Sequence, residues 1–252
     1  MVIGGSFCPV DGFIAPMKIL EGYINGAKKL GVKFIYGEEI QSIIVDRNKI
    51  TETTTPSSEF SAGIVVNTAG AWAGYTAGLA GLKIPVTPLK RQVACMNKEN
   101  ILPENLPMTI FVKDSFHFRT KDKKFILLMP TDNEISDPLD TTVEDVWLEN
   151  IGQIAKNRIT VLVNSDYKID KSLSWAGLYE MSPDVHILLG LAPGFENFYL
   201  ANGSSGHGVM HSPAIGQLLA ELIISNETAI DISSLRPSRF SEGKPIESIN
   251  FF

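Results

Sequence analysis

A run of small residues, Gly203-Ser204-Ser205-Gly206-His207-Gly208, carries the clearest chemical signal in the 252-residue chain. An apolar strand ending at Ala201 leads into it. A helical pattern leaves it, with Ile215, Leu218, Leu219, Leu222 and Ile223 on one face. Ser212 reads as the N-cap of that helix and Pro213 as its first residue. A strand–turn–helix of this kind offers bare N–H groups and the positive end of a helix to an electron-rich group. Glycine there permits close approach and positive φ. The spacing matches neither the dinucleotide fingerprint G-x-G-x-x-G nor a P-loop, so a tight turn with no ligand is the plain alternative. His207 and His211 form an i, i+4 pair, but no Asp or Glu accompanies them, which makes a zinc reading weak.

Other candidates are scattered along the chain. Arg91 and Arg119 could each clamp a carboxylate through a bidentate fork, or simply be solvated. His117, between Phe116 and Phe118, points to the opposite face of its strand from both. Tyr179 lies in an apolar strand and reads equally as a core residue or a site residue. A second small-residue turn, Thr68-Ala69-Gly70-Ala71-Trp72, follows the compact strand Ile64-Val65-Val66.

The elements that must hold these residues are legible from periodicity. A helix is expected over residues 17–30, closed by Gly31, and then a strand at Val32–Tyr36. Ile40–Val45 and Ile50–Thr54 read as a hairpin, with a turn at Pro9-Val10-Asp11-Gly12 upstream. The turn at Thr68–Trp72 opens a helix to about Leu79. From Ile84 the texture changes: prolines punctuate strand-like segments at 89–96, 108–113, 115–120 and 124–129, followed by a helix over Thr141–Asn157. Asp166–Tyr179, Val185–Leu191 and Asn197–Ala201 are strand-like and lead back to the glycine turn. The fold class is therefore α/β (α+β), an α/β layer from residues 1–83 and 171–252 with an antiparallel sheet inserted at 84–170. Ile64–Asn67 and Phe198–Ala201 are expected to be neighbours in the first layer.

Composition narrows the class. A net charge of −6, with no basic block, argues against a nucleic-acid partner. No apolar run reaches the length of a membrane span, and no secretory signal is visible. Cys8 and Cys95 are far apart and without metal-ligand spacing, which fits free thiols in a reducing, cytoplasmic compartment.

Four stretches together resemble the FAD-dependent oxidoreductases of the D-amino-acid-oxidase type, nearest the branch of sarcosine oxidase beta subunits, dimethylglycine dehydrogenases and dye-linked proline dehydrogenases. They are Pro9–Pro16, Val65–Trp72, Trp175–Asp184 and Gly203–Gly208. The resemblance implies a partial three-layer, Rossmann-like FAD-binding domain at 1–83 and 171–252 and a substrate-binding domain at 84–170. It implies oxidation of the C–N bond of a secondary or tertiary amino acid, by hydride transfer to FAD. It also implies cofactor contacts from Ile40, Ala69, Gly70, Trp72, Gly203, Ser205, Gly206, His207, Gly208, Val209 and Met210. Tyr179 and His207 are the catalytic candidates, a turn histidine bonded to backbone being an equal alternative for His207; Arg91, His117 and Arg119 are the substrate-side candidates, with a half-exposed strand histidine an equal alternative for His117. For Trp72, packing is the weightier alternative; for Ile40, a place in the core is an equal one.

The family pattern is departed from in three places. No G-x-G-x-x-G unit is present, so the chain reads as the C-terminal part of a longer protein or as a subunit whose partner chain supplies that unit. Tyr179 stands where the D-amino-acid and glycine oxidases carry a carboxylate-binding arginine. Met210 stands in place of a lysine, and no cysteine lies on the Trp175–Tyr179 strand, so the flavin is expected to be non-covalent. With the phosphate-binding unit lacking, the isolated chain is expected to hold FAD substoichiometrically or not at all, and to self-associate unless that partner is present. A subunit with no catalysis of its own is the alternative.

Overall fold

The computed structural model describes residues 4–10, 12–97, 102–103, 106–122, 124–129, 139–162 and 168–247. Its contacts divide the chain into two units, Met1–Glu38 and Glu39–Phe252.

In the first unit, helix α1 (Pro16–Lys29) begins at a proline, whose missing N–H is harmless there, and ends on Lys28 and Lys29. Gly31, at φ 89°, closes it, and the Val32 N–H donates to the Ala27 carbonyl at 3.1 Å. The strand expected at Val32–Tyr36 is not formed. A strand exists through its ladder, and none of the described ladders includes these residues. Asp11, in the turn expected at Pro9–Gly12, lies outside the described residues.

The second unit carries three sheets. Strands β1 (Ser42–Asp46) and β2 (Lys49–Thr54) form the expected antiparallel hairpin, and the short β3 (Glu59–Phe60) adds to β2. The second sheet has the order β10 (Leu188–Leu191), β11 (Phe198–Asn202), β4 (Val65–Asn67). In it, β11 runs parallel to β4, pairing Phe198 with Val65 and Leu200 with Asn67, as the apolar runs suggested. One buried amide joins these two sheets. Asn197 accepts from the Ile50 N–H and donates to the Ile50 carbonyl, both at 2.8 Å.

The third sheet has five strands in the order β6 (Thr109–Phe111), β7 (Phe116–Lys121), β8 (Lys124–Met129), β5 (Thr87–Asn97), β9 (Trp175–Met181). Every pairing in it is antiparallel. The last strand comes from beyond residue 170 and seals the side of β5 that would otherwise be an edge. Helix α3 (Asp145–Arg158) covers one face of this sheet. Leu148, Ile151 and Ala155 pack on Ala94, Met96, Phe116 and Phe118. Period-2 alternation then turns Arg91, His117 and Arg119 to the other face.

Helix α2 (Ala73–Leu79) follows a short 3-10 turn at Gly70–Trp72, matching the expected helix. Helix α4 (Gly208–Ser225) starts five residues earlier than Ser212 as cap and Pro213 as first residue had indicated, with Pro213 inside it. An interior proline leaves the carbonyl four residues back without its donor. Here the Ser212 hydroxyl donates to that carbonyl, Val209 O, at 3.0 Å. The serine read as a cap is thus a repair for the proline beside it. Asn226, at φ 57°, closes the helix.

Phe198 is fully buried beside Phe195, at the start of the strand that delivers the glycine turn. Phe198→Ala is expected to cost about 3–5 kcal/mol of stability in urea unfolding. A loss below about 1 kcal/mol would contradict the core described here.

Candidate functional site

The C-terminal ends of the parallel strands β4 and β11 each run into a turn rich in small residues, the crevice position at which open α/β sheets take ligands. Two buried asparagines hold the turns. Asn67 accepts from the Ala69 N–H at 3.0 Å and donates to the Ala73 carbonyl at 3.0 Å, shaping the turn that carries Ala69, Gly70 and Trp72. The Asn202 amide donates to Asn67 at 3.4 Å and so links that turn to the glycine turn. Trp72 is half exposed, and its turn packs against β5 and β9.

The glycine turn is fastened to the end of β9. The Ser204 N–H donates to Glu180 Oε1 at 3.1 Å, and the Ser205 N–H donates to the Glu180 carbonyl at 3.0 Å. Gly206, at φ 89°, rests on the Tyr179 ring, where a Cβ would fall 2.7 Å from a ring carbon, so any other residue there would be strained and would displace the ring. Ser205 is buried. Its hydroxyl accepts from the Ser182 N–H at 3.0 Å and donates to the Gly203 carbonyl at 2.9 Å.

Behind Ser182 stands a fully buried ion pair. Arg239 Nε donates to Asp184 Oδ2 at 2.8 Å and Nη2 to Oδ1 at 2.9 Å. The remaining guanidinium donors reach the carbonyls of Leu235, Arg236 and His186. All five N–H groups of the arginine are therefore used. Asp184 also accepts the backbone N–H groups of His186 and Ile246. Burial by itself would raise this carboxyl. The bonds from Arg239, Ile246 and His186 outweigh burial and hold it at about 2.

On the open face of the five-stranded sheet the structure brings Arg91, His117 and Tyr179 together. The Arg91 guanidinium lies 5.5 Å from the centre of the Tyr179 ring. Burial, opposed by the tyrosine, lowers the Arg91 pKa from its ordinary value. Burial also pushes His117 down; the Arg91 charge adds to that, and a bond to the Ser115 carbonyl at 2.9 Å opposes it. Arg119 is half-buried and sits two residues further along β7, away from Arg91 and Tyr179. Ile40 is half-buried against the cluster formed by Ile43, Phe198 and Leu200.

His207 is the N-cap residue of α4 and is exposed, its ring stacked on His211 with centroids 6.1 Å apart. Gly208, Val209 and Met210 form the first turn, whose N–H groups have no acceptor within the helix. These donors suit an electron-rich edge, as the pyrimidine end of a flavin presents. Two buried acceptors beside Gly203 and Ser204, Glu180 Oε2 and Asn202 Oδ1, have no donor among the described residues. They suit a group that also carries an N–H of its own. The chain thus fits one end of a flavin with donors and acceptors alike.

Comparisons with known proteins identify the family and the fold. The model of the FAD dependent oxidoreductase family matches residues 1–222, and the chain belongs to that family. Human dimethylglycine dehydrogenase is 24% identical over 277 residues, covering 99% of this chain and 31% of the human protein. FAD-dependent oxidoreductase domain-containing protein 1 of Xenopus laevis is 27% identical over 271 residues, covering 94% of this chain and 53% of its own length. Among solved structures, L-proline dehydrogenase from P. horikoshii superposes with a TM-score of 0.80 at 28% identity, covering 92% of this chain and 61% of that one. The chain therefore spans between about a third and about half the length of these two curated relatives. The family and the fold make FAD the cofactor of this architecture.

Sequence reading had not singled out Asn67, Glu180, Asp184, Asn202 or Arg239. The two asparagines were detectable as polar residues ending apolar strands, Val-Val-Asn and Leu-Ala-Asn. Arg239 gave no local signal, because its partner lies 55 residues away.

Asp184 has its pKa depressed in the folded state, so its contribution to stability is present above the unfolded value of 3.8 and is lost as pH falls toward about 2. The contribution amounts to roughly 2 kcal/mol. Thermal unfolding across this acid range is expected to show a steep limb in the wild type and a flatter one in Asp184→Asn. Parallel limbs would contradict the assignment.

Proposed function

We propose that this chain is the substrate-facing part of an FAD-dependent oxidoreductase that oxidises the C–N bond of a secondary or tertiary amino acid, of the sarcosine, dimethylglycine or proline kind. The observation that carries the reading is Arg91, a half-buried guanidinium held against Tyr179 on the open sheet face. Tyr179 in turn touches the glycine turn that suits a flavin edge. A carboxylate clamp and a flavin seat thus share one strand end. The names of the human dimethylglycine dehydrogenase and the P. horikoshii L-proline dehydrogenase support the substrate class.

In this reading Arg91 binds the substrate carboxylate through a bidentate fork. Tyr179 keeps the guanidinium from collapsing onto the sheet. His117, whose pKa is lowered, is neutral at pH 7 and adds no competing positive charge. The N–H groups of Gly208, Val209 and Met210, with the helix end, face the edge where negative charge develops on reduction. FAD, when bound, supplies the two-electron acceptance. Residues 84–170, completed by β9, serve as the substrate side, and residues 1–83 with 171–252 as the cofactor side. A segment or partner chain carrying G-x-G-x-x-G, a spacing this sequence lacks, completes the cofactor site. A reducing, cytoplasmic setting is part of this reading and rests on the free thiols Cys8 and Cys95.

The test uses the protein reconstituted with its phosphate-binding segment and FAD. Dye reduction is measured with proline, sarcosine and dimethylglycine, in the wild type and in Arg91→Met. The expected outcome is turnover of at least one of the three. In the variant, carboxylate-substrate binding weakens by roughly 2–5 kcal/mol while flavin content is unchanged. Equal KM values in the two proteins would remove Arg91 from the site.

A further inference from the structure

Gly177 lies in the interior of β9, directly opposite Arg91. Its φ is outside the left-handed region, so the backbone does not require glycine. A Cβ built on it would meet no heavy atom of the described residues within 4 Å, so packing against them does not require glycine either. Glycine inside a strand costs stability and often marks a bulge or a place where a ligand or another backbone comes close; the β5–β9 register runs unbroken through Gly177, so it is not a bulge. Trp175 and Tyr179 flank it on the same face, 47% and 36% exposed, and Arg91 stands across from it. Together they make a notch with an open floor, two aromatic walls and a guanidinium at its side.

We infer that this notch receives the apolar ring or N-alkyl part of the amino-acid substrate while Arg91 holds its carboxylate, so that Gly177 sets the largest substrate accepted. The inference rests on the function proposed above and narrows it to substrates with an apolar body beside the carboxylate. Aromatic walls favour such a body through area burial and, for an ammonium or alkylammonium group, through the ring faces. A valine at position 177 would fill the notch, and as a β-branched residue in a strand it favours the fold.

The experiment measures equilibrium binding of two carboxylates that have no amine to oxidise, acetate and cyclopentanecarboxylate, to the FAD-loaded protein. Wild type, Gly177→Ala and Gly177→Val are compared. In the wild type, cyclopentanecarboxylate is expected to bind more tightly than acetate. In Gly177→Val its affinity falls about tenfold or more, with acetate affinity and flavin content unchanged. Gly177→Ala shows a smaller loss in the same direction, which keeps the test open should the valine protein fold poorly. Unchanged cyclopentanecarboxylate binding in both variants overturns the inference. Loss of flavin instead of carboxylate also overturns it, because the notch would then belong to the cofactor. If carboxylates bind in the expected order to a protein that oxidises none of the three amino acids, the proposed reaction fails and the notch stands.

Discussion

The buried Asp184–Arg239 pair is the constraint on which the site depends. An ion pair with no access to water is tolerable only when its geometry is good and every remaining donor and acceptor is used. Here the carboxylate takes two guanidinium and two backbone donors, and the guanidinium reaches three carbonyls besides. The pair fixes the turn at Ser182–His186, in which Val185 is held at φ 61°. A β-branched residue in that region is strained by about 1–3 kcal/mol, so the turn persists only because its surroundings over-determine it. Ser182 passes the constraint to Ser205, and Ser205 to the carbonyl of Gly203. The glycine turn, flexible by composition, is therefore rigid by attachment. Preorganised donors act well only when they do not have to be moved into place.

The five-stranded sheet divides the labour between its faces. Lys90 and Arg91 are adjacent in β5 and so point opposite ways. Lys90 bonds Asp140 and Glu144 at 2.8 Å on the side of α3. Burial works against its charge, but the two carboxylates outweigh that and hold its pKa above the ordinary value. Arg91 faces the other way, beside Tyr179, and its charge helps to lower the pKa of the His117 imidazole. One cation ties the sheet to the start of a helix, and its neighbour stands against an aromatic ring on the opposite face.

Elements defined by near neighbours were legible in the sequence, and those defined by distant ones were not. The hairpin at Asp46–Lys49, the antiparallel run from β5 to β8 and the parallel neighbours β4 and β11 followed from apolar alternation and turn residues. The glycine turn was visible as a tight strand-to-helix connection because a run of glycine and serine after an apolar strand suits little else. Pro213 misled, since proline usually opens a helix; only the Ser212 hydroxyl on Val209 shows why it sits inside one. Val32–Tyr36 has strand composition but no ladder, because propensity does not supply a partner. Of the candidate side chains, Arg91, His117 and Tyr179 converged, while Arg119 stood apart for a reason of strand register that single residues do not reveal. Arg239, Asp184 and the asparagine pair depend on contacts between segments distant in sequence, which periodicity cannot report.

If the buried ion pair holds the glycine turn in place, breaking the pair must loosen that turn. Amide hydrogen exchange of Ser204 and Ser205, whose N–H groups bond Glu180, tests it directly. The comparison is between the wild type and Arg239→Gln, under conditions where both are folded. Exchange at these two amides is expected to quicken about tenfold or more, while amides paired between β5 and β8 keep their protection. Unchanged exchange at Ser204 and Ser205, or an equal rise across the whole five-stranded sheet, would contradict it.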